Sequence, residues 1–206
     1  MRLTLASTSP ARLATLRGAG VEPLVVAPGV DEDAVVAAAG HLEPAEMVEL
    51  LARAKAEAVA ESHGHGIDGL ILGGDSVFVI DGIIHGKPHQ PAVARERWLR
   101  QRGRTGVLYS GHWLIDNRGG TNNGGVGVVT HAEVTFADVT EDEIDAYIAT
   151  GEPLTVAGAF TIDSLGGPFI DSIVGDPHTV VGLSLPALRN LVRSFGISWT
   201  DLWNRS

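Results

Sequence analysis

Four short stretches of this chain combine residue types that can do chemistry. Ser7-Thr8-Ser9-Pro10-Ala11-Arg12 places two hydroxyls and an arginine where an apolar strand runs into a helix start. Free backbone N–H groups and the helix dipole favour an anion there, so a phosphate can sit on Ser7, Ser9 and Arg12. An ordinary N-cap with a solvent-facing arginine accounts equally well for the same residues. Gly73-Gly74-Asp75-Ser76 puts a carboxylate after an apolar strand. Such a strand end is where α/β proteins place ligand groups, and Asp75 there suits a general base or a metal ligand. A turn aspartate bonded to its own backbone is the plainer alternative. Gly86-Lys87-Pro88 fixes the backbone around a lysine, and Lys55 emerges along an apolar helical stripe. A loop lysine and a snorkelling lysine are the ordinary readings of those two.

Lys55 and Lys87 are the only lysines in 206 residues; the other thirteen basic residues are arginines. Drift from lysine to arginine explains such a count. So does retention of the compact ammonium where a wide guanidinium cannot substitute.

The elements that must position these groups read as α/β. Strands are expected at Arg2–Ala6, Pro23–Ala27, Leu70–Gly73 and Ser76–Ile80, the last two divided by Gly74-Asp75. Two long alternating strands follow at Thr105–Asp116 and Val126–Asp138, joined by a glycine- and asparagine-rich hairpin loop. Shorter ones are expected at Phe160–Ile162, Phe169–Val174 and Thr179–Gly182. Helices are expected at Ala11–Ala19, Pro44–Ser62, Pro91–Arg102 and Leu185–Phe195. Another follows Thr140, where Glu143 completes a capping box.

Composition excludes several classes. The chain is 44% hydrophobic and 19% charged, neither disordered nor fibrous. No apolar run reaches the roughly 20 residues that span a bilayer, and no signal-peptide core opens the chain. The absence of cysteine removes disulfides, thiolate catalysis and cysteine-based zinc sites. A cytoplasmic protein is therefore expected. A net charge of −10 argues against a general nucleic-acid coat. The arginines at 95, 97, 100, 102 and 104 read as a solvated basic face. No HxxH or HExxH spacing links the eight histidines, and the four tryptophans are expected to pack.

In order and spacing, the pieces resemble the Maf family of nucleoside triphosphate pyrophosphatases. Leu5-Ala6-Ser7-Thr8-Ser9-Pro10-Ala11-Arg12 is similar to its LAS-x-SPRR opening, Val30-Asp31-Glu32 to its V-[DE]-E element, and Leu51-Ala52-Arg53-Ala54-Lys55-Ala56 to its LA-x-x-KA helix. Gly73-Gly74-Asp75-Ser76 resembles GAD-T, Gly86-Lys87-Pro88 resembles GKP, and Glu133-Val134-Thr135-Phe136 resembles EV-x-F. Ala157-Gly158-Ala159-Phe160 and Val181-Gly182-Leu183-Ser184-Leu185 resemble AGAY and VGLPL.

The resemblance implies one Maf-like domain over residues 1–206. Its fold would be an elongated, mixed central β-sheet flanked by helices, with two lobes around a cleft, as in the inosine triphosphatases. The implied activity is hydrolysis of a possibly modified nucleoside triphosphate to the monophosphate and pyrophosphate, cleaning the nucleotide pool. Asp75, Lys87 and Lys55 would be catalytic. Ser7, Ser9, Arg12, Ser76 and Asp163 would contact substrate, and Glu32 and Asp75 would hold magnesium or manganese. A homodimer is common in the family.

Three departures bear on specificity. An arginine, a lysine and a glutamine of the family's pattern are Ala11, Val156 and Asp163 here. By the resemblance, Ala11 and Asp163, together with Ser76, are the positions expected to set base preference, and Asp163 can accept from a base amino group. Two other classes remain open: a catalytically weak nucleotide-binding regulator of septum formation and division, and a nucleic-acid binder using Arg95–Arg104. Pyrophosphate release from a triphosphate panel separates the first, and salt-dependent nucleic-acid binding the second.

Overall fold

The computed structural model of the chain describes residues 1–204; Arg205 and Ser206, the end of the expected domain, lie outside the described residues. The fold is mixed α/β. A seven-stranded sheet has the order β2-β1-β3-β5-β6-β7, with β4 paired to β3. Its strands are β1 (Leu3–Ala6), β2 (Leu24–Val25), β3 (Gly69–Ile80), β4 (Ile83–His85), β5 (Thr105–Asn117), β6 (Gly125–Phe136) and β7 (Ile170–Val174). β1 runs parallel to both β2 and β3, whereas β4 and β7 pair antiparallel to β3 and β6.

The chain divides into two compact units. The first comprises Met1–Asp75, Ser110–Thr130 and the chain from Gly182 onward. Its helices are α1 (Pro10–Gly18), α2 (Glu32–Ala39), α3 (Pro44–His63) and α7 (Leu185–Ser194). Leu3, Leu5, Leu16, Leu70, Leu72, Leu114, Leu183 and Leu188 belong to its largely aliphatic core. The second comprises Ser76–Tyr109 and His131–Val181, with α4 (Pro91–Gln101), α5 (Glu141–Ala149) and α6 (Pro177–Val181). Its core is aromatic. Trp98 meets Phe136, Tyr147 and Phe169 edge-on and donates its indole N–H to the Ala159 carbonyl at 2.8 Å.

Local chemistry sets the boundaries. Ser9 caps α1 by accepting the Arg12 N–H, and Pro10 fills the first helical position, where no donor is needed. Glu43 and Glu46 form a capping box ahead of Pro44 at the start of α3. Thr140 and Glu143 do the same for α5, as expected.

The structure corrects four sequence expectations. Gly74-Asp75 does not divide a strand; β3 runs unbroken from Gly69 to Ile80. Gly73 serves close packing instead: a Cβ there would lie 2.0 Å from the Ala52 carbonyl of α3. The segment expected as a strand at Thr179–Gly182 is instead the end of α6, which closes at Val181, followed by the turn residue Gly182. Asp176 accepts the His178 N–H ahead of Pro177, a local helix start that outweighs the β-branched run. Phe160–Ile162 forms no strand, because Ala159 takes a positive φ of 62° and the chain turns. Trp203 packs on Gly20 but remains 58% exposed. The sequence reading also missed α2, although Asp31 caps it and Glu32 and Asp33 supply acidic first-turn residues.

Candidate active site

The first unit collects charge in its interior. Where β1 ends, Ser7 is buried, and its Oγ accepts the Ser9 N–H at 3.1 Å and an Arg12 guanidinium N–H at 3.3 Å. Arg12 is only 9% exposed, and its Nε donates to the Gly182 carbonyl at 2.8 Å. The solvent-facing arginine is thus ruled out. Gly74 leaves the room: a Cβ there would stand 3.1 Å from Arg12 Nε.

α3 supplies the second cation. Lys55 is 7% exposed, which removes the snorkelling alternative. Its Nζ lies 2.6 Å from Asp75 Oδ1 and 2.8 Å from Glu32 Oε1. The close approach of Gly73 to Ala52 sets the α3–β3 spacing that brings Lys55 and Asp75 together. Glu32 reaches in from the first turn of α2 with its side chain half exposed. Asp75 is therefore no turn aspartate; it lies within a strand and is paired to a buried ammonium.

Burial sets the protonation behaviour. Desolvation pushes the Asp75 carboxyl above its ordinary pKa, against the pull of Lys55 and Arg12. Desolvation likewise lowers Arg12, opposed by the charges of Asp75 and Glu32. A carboxylate raised toward neutrality is better matched to proton transfer than an ordinary aspartate.

Ala11 is half-buried in the first turn of α1 in the first unit, and the other sequence candidates belong to the second unit. Ser76 follows Asp75 on β3 and is partly buried. Lys87 is exposed beyond β4 and makes no ion pair among the described residues. Asp163 is exposed on the 161–166 loop. Sequence reasoning missed what organises that loop. The Glu152 carboxylate accepts hydrogen bonds from the hydroxyls of Tyr147, Thr161 and Ser164 and from the N–H groups of Leu165 and Gly166. Partial burial works to raise its pKa, but these donors prevail and hold it down to about 2. Glu152 opens a short 3-10 helix at Glu152–Thr155, and no local pattern marks the donors 9 to 14 residues further on. Of the five clustered arginines in this unit, Arg95, Arg100 and Arg104 are ion-paired to carboxylates, so the face is largely self-neutralised.

No cluster of three or more His, Cys, Asp or Glu able to hold a metal occurs among the described residues. Glu32 and Asp75 nonetheless converge on one cation, Lys55 Nζ. Two carboxylates fit magnesium or manganese when phosphate oxygens and water complete the shell, which is how magnesium is usually bound.

A family model described as Maf-like protein matches residues 2–195. A nucleoside triphosphate pyrophosphatase of Leifsonia xyli subsp. xyli is 67% identical over 100% of this chain and 98% of its own. One of Salinispora tropica is 51% identical over 100% of this chain and 88% of its own. The crystal structure of a dITP/XTP pyrophosphatase from Mycobacterium abscessus aligns over 94% of this chain and 95% of its own, at 16% identity and a TM-score of 0.39, too low to argue from. The full-length relatives and the family match agree with the motifs that converge on Arg12, Lys55 and Asp75: the chain belongs to the Maf family.

Proposed function

We propose that the chain is a nucleoside triphosphate pyrophosphatase, releasing pyrophosphate and a nucleoside monophosphate from a triphosphate of the nucleotide pool. The observation that carries this reading is the buried set Arg12, Lys55 and Asp75, with Glu32 at its edge. A bare carboxylate in a dry interior is costly. Two buried cations beside it make the site receptive to further negative charge.

In this reading the N-terminus of α1, with Ser7, Ser9 and Arg12, receives phosphate oxygens. Asp75 takes a proton from the attacking water as its oxygen bonds to the α-phosphorus. The bond from that phosphorus to the bridging oxygen breaks, and pyrophosphate leaves with the bond's electron pair. Lys55 keeps Asp75 ionised and oriented, and its ammonium stabilises charge developing on the phosphates. Glu32 and Asp75 would hold the divalent cation, which supplies Lewis-acid polarisation of the phosphates when bound. Lys87 as a further phosphate cation, Ser76 as a substrate contact, and Ala11, Ser76 and Asp163 as the base-selecting positions complete the proposal. No helix among the described residues is long and apolar enough to cross a membrane. A cytoplasmic setting goes with this reading, because the nucleotide pool is there.

The test is pyrophosphate release from a panel of canonical and modified triphosphates, with magnesium or manganese. Release from at least one member is expected. Tight nucleotide binding with no release from any member would overturn the enzyme and favour the regulator.

A further inference from the structure

His112 on β5 is fully buried, lies outside the candidate site, and has no place in the chemistry above. Its Nε2 accepts the backbone N–H of Ser184 at 2.9 Å. The ring is therefore neutral at that nitrogen. Ser184 is itself buried and caps α7, its Oγ accepting the Ala187 N–H. Two residues earlier, Gly182 stands at a φ of 103°, a conformation that side chains rarely adopt, and its carbonyl accepts the Arg12 Nε–H. Leu183 between them is fully buried in the aliphatic core. The turn at 182–184 is thus tied at one end to His112 and at the other to Arg12.

The far side of His112 is equally constrained. A Cβ on the preceding Gly111 would come within 2.2 Å of the Val48 carbonyl of α3. β5 is therefore pressed against the helix that carries Lys55, and the imidazole has a fixed base from which to hold the turn. Replacing it with an apolar side chain leaves a buried N–H without its acceptor, and the cheapest relief is movement of the turn. Arg12 must then follow or lose the Gly182 carbonyl.

We infer that His112 is a positioning residue for triphosphate binding, acting through the Gly182–Ser184 turn to hold the Arg12 guanidinium in place. This rests on the reading of Arg12 as a phosphate ligand. His112 touches neither substrate nor the reacting atoms; it supplies an acceptor that fixes the orienter of a charged fork, and small misplacements of such groups are costly.

The test measures KM and kcat for pyrophosphate release, with melting temperature, for His112→Leu, His112→Asn and His112→Gln in two backgrounds, wild type and Arg12→Ala. A glutamine amide oxygen can stand where Nε2 stands; the shorter asparagine cannot reach it, and leucine offers no acceptor. In the wild-type background, Leu and Asn are expected to raise KM about tenfold with a smaller change in kcat, and Gln to recover most of the loss. In the Arg12→Ala background the same replacements should alter KM less than about twofold, because the group they position is gone. Should the leucine variant fail to fold, the asparagine and glutamine pair decides alone. Equal effects in both backgrounds would overturn the positioning role, as would an unchanged KM for folded His112→Asn beside an impaired Arg12→Ala. An unchanged KM for Arg12→Ala itself would overturn the phosphate reading on which the inference rests.

Discussion

The two units of this molecule handle charge in opposite ways. Every buried charged residue among those described, Arg12, Lys55, Asp75 and Asp116, belongs to the first unit. There an aliphatic core of leucines and valines lies within the same unit as a network of ionised groups. The second unit buries rings instead. Phe78, Phe136, Phe160, Trp98 and Tyr147 meet edge-on, and the unit's ion pairs, such as Arg95 with Asp145 and Glu141, remain exposed. Exposed pairs contribute little to stability, whereas buried ones are costly to desolvate and costly to break. The first unit therefore sacrifices stability for a preorganised set of charges. The second is stabilised by ring packing and leaves its candidate residues, Lys87 and Asp163, at the surface.

The largest expected break is structural and lies in the second unit. Trp98→Ala should cost about 3–5 kcal/mol in a urea titration, the range for removing a buried large aromatic. A loss below about 1 kcal/mol would mean that the aromatic cluster is not what stabilises this unit.

Asp75→Asn comes next and addresses the first unit. Turnover should fall at least ~100-fold if the carboxylate is the base, with nucleotide binding retained. Near-normal pyrophosphate release would remove Asp75 from that role.

Replacing each lysine by arginine compares the units directly. Lys55→Arg forces a wide fork between two carboxylates in a nearly closed site, and turnover should drop about tenfold. Lys87→Arg should also impair turnover but by less, because its surroundings are open to water. Equal losses would break the contrast. Two silent swaps would return the two-lysine count to compositional drift.

The pH dependences differ in kind. Asp75 must be ionised to accept a proton, and burial raises its pKa. Turnover should therefore decline on acidification at a pH above that of an ordinary aspartate, and Asp75→Glu should move that limb. Glu152 is the smallest effect and has the opposite shift. Its folded pKa of about 2 lies below the ordinary 4.5, so its contribution to stability is complete above 4.5 and is lost as pH falls toward 2. Melting temperatures between those limits should lose part of their slope in Glu152→Gln. An unchanged slope would show that the carboxylate does not anchor the 161–166 loop.

Caps and turns proved the most legible features. Ser9, Thr140 and Pro91 mark helix starts by rules that act within four residues, and the structure places helices there. Asp176-Pro177 follows a comparable rule, but the β-branched residues after it misdirect a reading based on periodicity. The glycines of Gly73-Gly74 advertise close approach without saying to what. They face the Ala52 carbonyl and the Arg12 guanidinium, partners 21 and 62 residues away in sequence. Glu152 and His112 were illegible as anchors, because neither residue type carries a signal until its distant donors arrive.

The sequence by itself determined the residue inventory: two lysines, no cysteine, a net charge of −10, and an ordered set of motifs that fixes the family. It also determined the local starts of most helices, since capping is short-range chemistry. Only the tertiary structure decided which of these residues are buried and which partners they meet. Lys55 became a buried cation shared by Glu32 and Asp75 rather than a surface lysine because a side-chain-free strand position lets α3 close on β3. Desolvation depends on everything packed around a group, so Asp75's raised pKa and Arg12's fixed orientation arise only when segments far apart in the chain are brought together.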